Sequence, residues 1–155
     1  MVAGSTAAAS YEVKTGSAFK GTVVLLGRVF FSLIFVVAGL NHFSKQTIGY
    51  AASQGVPLAN IAVPLSGVIA VVGGLSILLG YRAKIGAWLI VVFLIGVTPL
   101  HNFWAVRDAM MAQIQIAMFM KNVSMIGGAL LISQFGAGPF SLDARRSRQP
   151  PTHIS

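Results

Sequence analysis

The chain has 155 residues, of which 55% are hydrophobic and only 9% are charged. A soluble domain carries about a quarter charged residues, so this composition argues against a soluble protein and is typical of one solvated by lipid. Cysteine is absent, which excludes disulfides and thiolate chemistry. The net charge of +8 is spread over loops and tails, so it argues against a nucleic-acid partner.

The predicted elements begin with a polar N-terminal tail, residues 1–21. This tail lacks the basic start and apolar core of a signal peptide, so we expect an uncleaved first span. Four apolar stretches are long enough to cross a bilayer: residues 22–40, 58–80, 83–99 and 112–134. The remaining residues, 135–155, are rich in glycine, proline and basic side chains and predict an extended tail.

The connections between the predicted spans differ in kind. Residues 41–57 contain two glycines and a proline as helix breakers, which predicts an irregular loop. Tyr81 and Arg82 form a tight turn, so the second and third spans must be antiparallel neighbours. The sequence therefore predicts an all-α, four-helix bundle in the membrane.

The distribution of lysine and arginine predicts the orientation of this bundle. One side holds seven of them: Lys14, Lys20, Arg82, Lys84, Arg145, Arg146 and Arg148. The other side holds two, Lys45 and Arg107. Because basic loops tend to stay in the cytoplasm, we predict that both termini are cytoplasmic. The expected location is a bacterial inner, or plasma, membrane.

Two basic residues lie inside the predicted spans, Arg28 in the first and Lys121 in the fourth. Each costs about 2.5–3.5 kcal/mol near the centre of a span, and no carboxylate lies within any span to offset it. Steps of three and four residues join them to polar and small residues that should share their helix faces. These residues are Ser32, Phe35 and Gly39 with Arg28, and Gln113, Ala117, Ser124 and Gly128 with Lys121. We expect both faces to point into the bundle.

Two interpretations of these residues stay open. Arg28, Ser32, Lys121 and Asn122 could form an internal site for an anion, a quinone headgroup or a cofactor carboxylate. Alternatively, Arg28 extends its charge to the interface and Lys121 forms only structural hydrogen bonds.

A second polar group follows the first and third spans, at the predicted outer face. It contains His42, His101, Asn102 and Trp104. Imidazole ligates metals and titrates near neutral pH, so a metal, haem or quinone site is one interpretation. Capping and hydrogen bonding at the interface is the other. Because the histidines lack a spaced ligand motif, we predict no metal site.

Several segments together resemble the DoxX family of small four-helix membrane proteins. They cover most of residues 22–146 and are LLGRVFFSLIFVVAGLNHF (25–43), GVPLANIAVPLSGVIAVVGGLSILLGYRAKIGA (55–87), TPLHNFWAV (98–106) and FMKNVSMIGGALLISQFGAGPFSLDAR (119–145). The resemblance implies that eight residues occupy the family's characteristic polar positions: Arg28, His42, His101, Trp104, Lys121, Asn122, Ser141 and Asp143. The chain departs from the pattern at Ala70, where many members carry a glutamate. This departure weakens any role that depends on a carboxylate in the second span.

The resemblance also implies a range of functions. The family looks related to the small membrane subunit of thiosulfate:quinone oxidoreductases and is commonly labelled as oxidoreductase, by association with redox systems. The lack of cysteine and of acidic residues within the spans instead favours a non-catalytic accessory subunit, with partner subunits in a larger electron-transfer or photosynthetic complex. The alternative is a quinone-linked membrane oxidoreductase or its anchor subunit, with quinone or haem as cofactor. A third hypothesis is a carrier of small molecules or lipids, which would need a central cavity.

Overall fold

The computed structural model describes residues 3–147, with side chains from residue 18 onward. Over that range the helices are α1 (Ala3–Asn41), α2 (Lys45–Ser53), α3 (Ala59–Leu79), α4 (Ala83–Val97), α5 (Ala109–Phe135) and α6 (Leu142–Arg146). Four stretches are long and apolar enough to cross a membrane: Ala18–Asn41, Ala59–Leu79, Ala83–Ala105 and Ala109–Phe135. The prediction of an all-α membrane bundle is therefore confirmed.

The observed helices extend beyond the predicted spans at two places. α1 begins at Ala3, so that residues 3–21, predicted as a tail, continue directly into the first span as one helix. α5 begins at Ala109, three residues before the predicted start. Asp108 explains this second difference, because its carboxylate caps the helix by accepting the Met111 N–H at 2.8 Å.

The prediction of an irregular loop over residues 41–57 is wrong for Lys45–Ser53, which form α2. The Ser44 side chain caps this helix by accepting the Thr47 N–H. Ala51 is buried in a small apolar cluster with the start of α3. A helix of nine residues is marginal on its own. Its stability therefore comes from the cap and this packing, which apolar periodicity does not reveal.

The long helices pack in series, with α3 between α1 and α4, and with α5 against α4. Glycines on α3 allow the backbones to approach closely, as is usual for helices in lipid. A Cβ atom at Gly67 would lie 2.7 Å from the Gly39 carbonyl oxygen of α1, and one at Gly73 would lie 3.0 Å from the Gly86 carbonyl oxygen of α4. The apolar core between the helices includes Phe35, Ala70, Ile77, Ile90 and Leu94.

The segment 136–147 was predicted as part of an extended tail, and the structure differs. This segment folds back against the turn between α3 and α4. The Asp143 N–H donates to the Gly80 carbonyl at 2.8 Å. The Asp143 carboxylate accepts the N–H groups of Arg82 at 2.8 Å and Ala83 at 3.0 Å. It therefore caps the start of α4 from a distant part of the chain.

The bundle has two distinct ends. We call the end that carries the Tyr81–Arg82 turn and residues 136–147 the turn end, and the opposite end, which carries α2, the α2 end. Which end faces the cytoplasm stays a prediction from the basic residues. Of the residues behind that prediction, Arg148 and the Lys14 side chain lie outside the described part of the structure.

Candidate functional site

The structure divides the predicted site residues between the two ends of the bundle. Arg28 belongs to the turn end, where its side chain is only 4% exposed. Its Nη1 donates to the Ala137 carbonyl at 2.9 Å and its Nη2 to the Phe140 carbonyl at 2.7 Å. The guanidinium is buried within the protein at this end of the spans. It ties α1 to the segment that follows α5.

Ser32 lies one helical turn from Arg28 and is fully buried with it. Within the described residues, Ser32 Oγ and Arg28 Nε have no hydrogen-bond partner. Ser141, from the same family pattern, lies nearby and caps α6 by accepting the Ala144 N–H at 3.1 Å. Arg28 thus lies with the C-terminal segment and Ser32 lies against Gly74 of α3, and the predicted grouping with Lys121 and Asn122 is not observed.

A cavity of about 430 Å³ lies at the α2 end, between α1, α3, α4 and α5. Most of its wall is aliphatic or aromatic, as in typical small-molecule sites. Its polar lining residues are His42, Thr47, Tyr50, Ser66, His101, Lys121 and Asn122. The structure therefore brings together His42 and His101 of one predicted group with Lys121 and Asn122 of the other.

Hydrogen bonds hold both histidines through Nδ1. His42 Nδ1 lies 2.9 Å from Ser66 Oγ, whose own proton is donated to the Val63 carbonyl at 2.7 Å. The serine must therefore accept, so His42 Nδ1 donates and Nε2 of the neutral ring is left as an acceptor. His101 Nδ1 lies 2.8 Å from Gln115 Oε1, which can only accept. Both imidazoles consequently have the same tautomer.

His42 lies just beyond the end of the first span and is half-buried. Burial lowers the pKa of its imidazole below the ordinary value, while the nearby Val63 backbone carbonyl acts in the opposite direction. Its ring packs against Phe93 with 5.5 Å between ring centroids. The neutral form, with a free Nε2 acceptor, is therefore the one favoured at neutral pH.

Lys121 and Asn122 contribute donors from α5. Lys121 is exposed at the middle of this helix, and its Nζ donates to Met118 Sδ at 3.4 Å, a weak acceptor. Asn122 is only 3% exposed and lines the cavity, and within the described residues no hydrogen bond occupies its side-chain amide. The cavity thus has a cationic donor and a free amide beside two imidazole acceptors.

The residues of α5 that were predicted to face the bundle interior lie on the opposite side of the helix. Of these, Gln113, Ala117, Lys121 and Ser124 are exposed, and Gly128 is half-buried. The buried positions of this helix are Asn122, Ala129 and Ser133. The corresponding prediction for α1 is confirmed, since Arg28, Ser32, Phe35 and Gly39 are all buried.

Asn102 and Trp104 do not line the cavity. Trp104 is 66% exposed, and its ring packs edge-on against Phe103 with 5.0 Å between centroids. An exposed aromatic at the end of a span is typical of an interfacial anchor. Ser66 and Gln115 orient the two histidines through hydrogen bonds, and they were not predicted as site residues from the sequence. Neither belongs to a recognisable motif, and the only indication in the sequence is that each is a polar residue within an apolar span.

The polar side chains of this cavity can bind a ligand through hydrogen bonds and through the charge of Lys121. Among the described residues, no three His, Cys, Asp or Glu side chains lie together as metal ligands would. The donors lie on α5, whereas His42 follows α1 and His101 follows α4. The arrangement suits a small molecule with an apolar body and oxygen atoms that accept or donate hydrogen bonds.

Four membrane-spanning helices around such a cavity define a small multi-pass membrane protein. The DoxX family model matches residues 23–106, more than half of the chain. The chain is 31% identical to the Inner membrane protein YphA of Escherichia coli K12, over 83% of this chain and 93% of that protein. It is 32% identical to the Inner membrane protein YqjF of the same organism, over 77% of this chain and 88% of that protein.

The chain belongs to the DoxX family, as the resemblance of its motifs indicated. It is a multi-pass protein of the bacterial inner membrane, which confirms the predicted location. No solved structure matches the chain.

Proposed function

We propose that this protein binds a membrane-soluble molecule of the quinone class in the cavity at the α2 end, and serves as the quinone-binding membrane subunit of an electron-transfer system. The observation that carries the proposal is the convergence of His42, His101, Lys121 and Asn122 on one largely apolar cavity. This is the alternative hypothesis from the sequence, and the geometry favours it.

The polar groups suit the two oxygens of a quinone ring. Lys121 Nζ and the Asn122 amide can donate to a carbonyl oxygen. The free Nε2 atoms of His42 and His101 can accept from the hydroxyl groups of the reduced form. Aromatic and aliphatic side chains around them supply apolar contact for the ring.

The position of the cavity suits a ligand dissolved in the bilayer. Close backbone contacts between α1 and α5 are sparse, since α1 packs on α3 and α5 packs on α4. Ile34 of α1 is 39% exposed and Lys121 of α5 is exposed, and both line the cavity. Tyr50 and Ala51 of α2 also line the cavity. The tail of such a ligand would extend into lipid between α1 and α5.

The test is binding of a radiolabelled ubiquinone with a short isoprenoid tail to the purified protein in nanodiscs. We expect saturable binding by the wild type. Lys121→Met and Asn122→Leu should each raise the Kd about tenfold, because losing one hydrogen bond from a charged or buried donor costs about 1.4 kcal/mol. Lys45→Met is the matched control, since this exposed lysine lies outside the cavity.

Two results would contradict the proposal. One is a wild-type protein that shows no saturable quinone binding although circular dichroism shows that it is folded. The other is an equal change of affinity in Lys121→Met and Lys45→Met, which would mean that any loss of surface charge acts in the same way.

The other two hypotheses from the sequence make different predictions. An accessory subunit of a respiratory or photosynthetic complex should purify in fixed proportion with that complex in mild detergent, and its role does not require polar side chains around a cavity. A carrier has the cavity that it requires, but it should also move its substrate into liposomes that contain only this protein. Quinone binding without such uptake favours our proposal over a carrier.

A further inference from the structure

A second cavity, of about 480 Å³, lies at the turn end of the bundle, and the proposed quinone site does not use it. Its wall combines the start of α4 with the C-terminal segment: Arg82, Lys84 and Ile85 on one side, and residues between 136 and 147 on the other. We propose that this cavity binds the phosphodiester headgroup of an anionic phospholipid, with an acyl chain lying along α4.

The charge around the cavity is strongly positive. Five exposed basic side chains lie at this end: Lys20, Arg82, Lys84, Arg145 and Arg146. Asp143 is the acidic residue among them, and its two oxygens already accept the N–H groups of Arg82 and Ala83. Arg146 packs over the Tyr81 ring, 4.5 Å from its centroid. Arg82 and Lys84 are therefore the cations that line the cavity, and an anionic headgroup is their natural complement.

The depth of these two side chains matches that of lipid phosphates. Arg82 directly precedes α4 and Lys84 lies in its first turn, so both mark the level at which this span begins. The Lys84 Cε atom lies 3.6 Å from where a Cβ atom of Gly136 would be, so the aliphatic stem packs over this glycine. Arginine can bind a phosphate through two N–H groups, and lysine adds a point charge.

An apolar surface continues from the cavity into the bilayer. Ile85 lines the cavity and begins a stripe on α4 whose members are each more than half exposed: Ile85, Trp88, Val92 and Ile95. Their spacing of three and four residues places them on one face of the helix. A phospholipid whose phosphate lies beside Arg82 and Lys84 would therefore place an acyl chain along this stripe. This continuity favours a phospholipid over free phosphate.

The experiment measures which lipids remain bound to the purified full-length chain. The protein is equilibrated in detergent with equal amounts of phosphatidylglycerol and phosphatidylcholine, washed, and analysed by native mass spectrometry. We expect the wild type to retain phosphatidylglycerol preferentially. The double variant Arg82→Gln/Lys84→Gln should lose most of that retention, because each basic residue near the membrane surface contributes about 1 kcal/mol to binding of anionic lipid. The matched control Lys45→Gln/Arg107→Gln removes two exposed cations at the α2 end and should behave like the wild type.

Three results would overturn the inference: equal retention of both lipids by the wild type, unchanged retention by the double variant, or full displacement of the lipid by millimolar inorganic phosphate. The last result would identify a simple anion site. Lys84→Gln alone, which leaves the left-handed backbone at Arg82 unchanged, repeats the test with a smaller change. Circular dichroism of each variant confirms that lost retention is not lost folding.

Discussion

Arg28 shows how a single residue inside a membrane span joins two distant parts of the chain. Its hydrogen bonds reach the carbonyls of Ala137 and Phe140, 109 and 112 positions further along. These carbonyls follow the end of α5, where the helix no longer provides donors for them. The arginine therefore stabilises the return of the C-terminal segment.

This contact predicts a large effect of substitution. Arg28→Met should lower the free energy of unfolding by about 3–6 kcal/mol, because two charge-assisted hydrogen bonds of about 1.5–3 kcal/mol each are lost. Arg28→Lys should restore only part of this loss, since an ammonium group lacks the forked geometry of guanidinium. Denaturant unfolding in detergent, followed by circular dichroism, measures the change. Arg107→Met, at an exposed position, is the control, and equal stability of the two methionine variants would contradict the prediction.

His42 predicts a dependence of stability on pH. Burial lowers the pKa of the folded imidazole below the ordinary value, which is about 6.5 in the unfolded chain. The unfolded state therefore binds more protons between these two pKa values. The contribution of His42 to stability is complete above about pH 6.5 and is lost as the pH falls through the folded-state pKa.

Thermal unfolding between about pH 8 and pH 5 tests this dependence. We expect Tm to decline on the acidic side, and the decline should be smaller in His42→Gln. His101→Gln provides a comparison at the second imidazole of the cavity. An identical decline in the wild type and in His42→Gln would show that other groups account for it.

At the scale of helices, the crossing of α1 and α3 depends on two glycines. A Cβ atom at Gly39 would lie 2.8 Å from the Gly67 carbonyl oxygen and 3.1 Å from the Val71 backbone nitrogen. Because both neighbours are backbone atoms, they cannot move aside without separating the helices. His42 follows Gly39 by three residues, so such a separation would also displace one wall of the proposed quinone site.

Gly39→Ala should therefore destabilise the protein by about 1–3 kcal/mol. Gly27→Ala on the same helix is a matched control, since a Cβ atom there meets nothing within 4 Å. This control should be neutral or slightly stabilising, because alanine is the better helix former by about 0.5–1 kcal/mol. The same unfolding experiment compares the two variants. If both have equal stability, the close helix crossing is not a determinant of stability.

The faces of the helices were predictable to different degrees. On α1, the residues that join Arg28 at helical spacing are buried, because the charge and the small side chains share one face. On α5, polar residues occur on both faces, so their spacing alone does not identify the inner one. Packing against α4 selects Asn122 and leaves Lys121 at the rim. These two adjacent residues therefore reach the same cavity from different depths, Asn122 from the buried face of α5 and Lys121 from its exposed face.

At the scale of the whole molecule, the two ends of the bundle differ in how α1 meets the end of the chain. At the turn end, Arg28 and the segment 136–147 close the space between α1 and α5. Towards the α2 end these helices are not in close backbone contact, and the cavity lies between them. The C-terminal segment therefore closes the bundle at the turn end, whereas a cavity remains between the helices at the α2 end.

The orientation in the membrane is a prediction at this scale. Because the chain contains no cysteine, single cysteines can report it directly. Gln54→Cys at the α2 end should react with an impermeant maleimide added to intact cells, and Ser147→Cys at the turn end should react only after permeabilisation. Both positions are exposed in the folded protein. The reverse labelling pattern would contradict cytoplasmic termini.

The sequence by itself determined that this chain crosses the membrane four times, because the bilayer demands about 20 apolar residues per span and this is a local property of the chain. The family followed from motifs that are equally local. Only the tertiary structure decided which polar residues meet, placing Arg28 beside the C-terminal segment and the two histidines beside Lys121. The physical reason is that lipid accepts any apolar helix face, so contacts between helices, and not hydrophobicity, set the rotation of each helix.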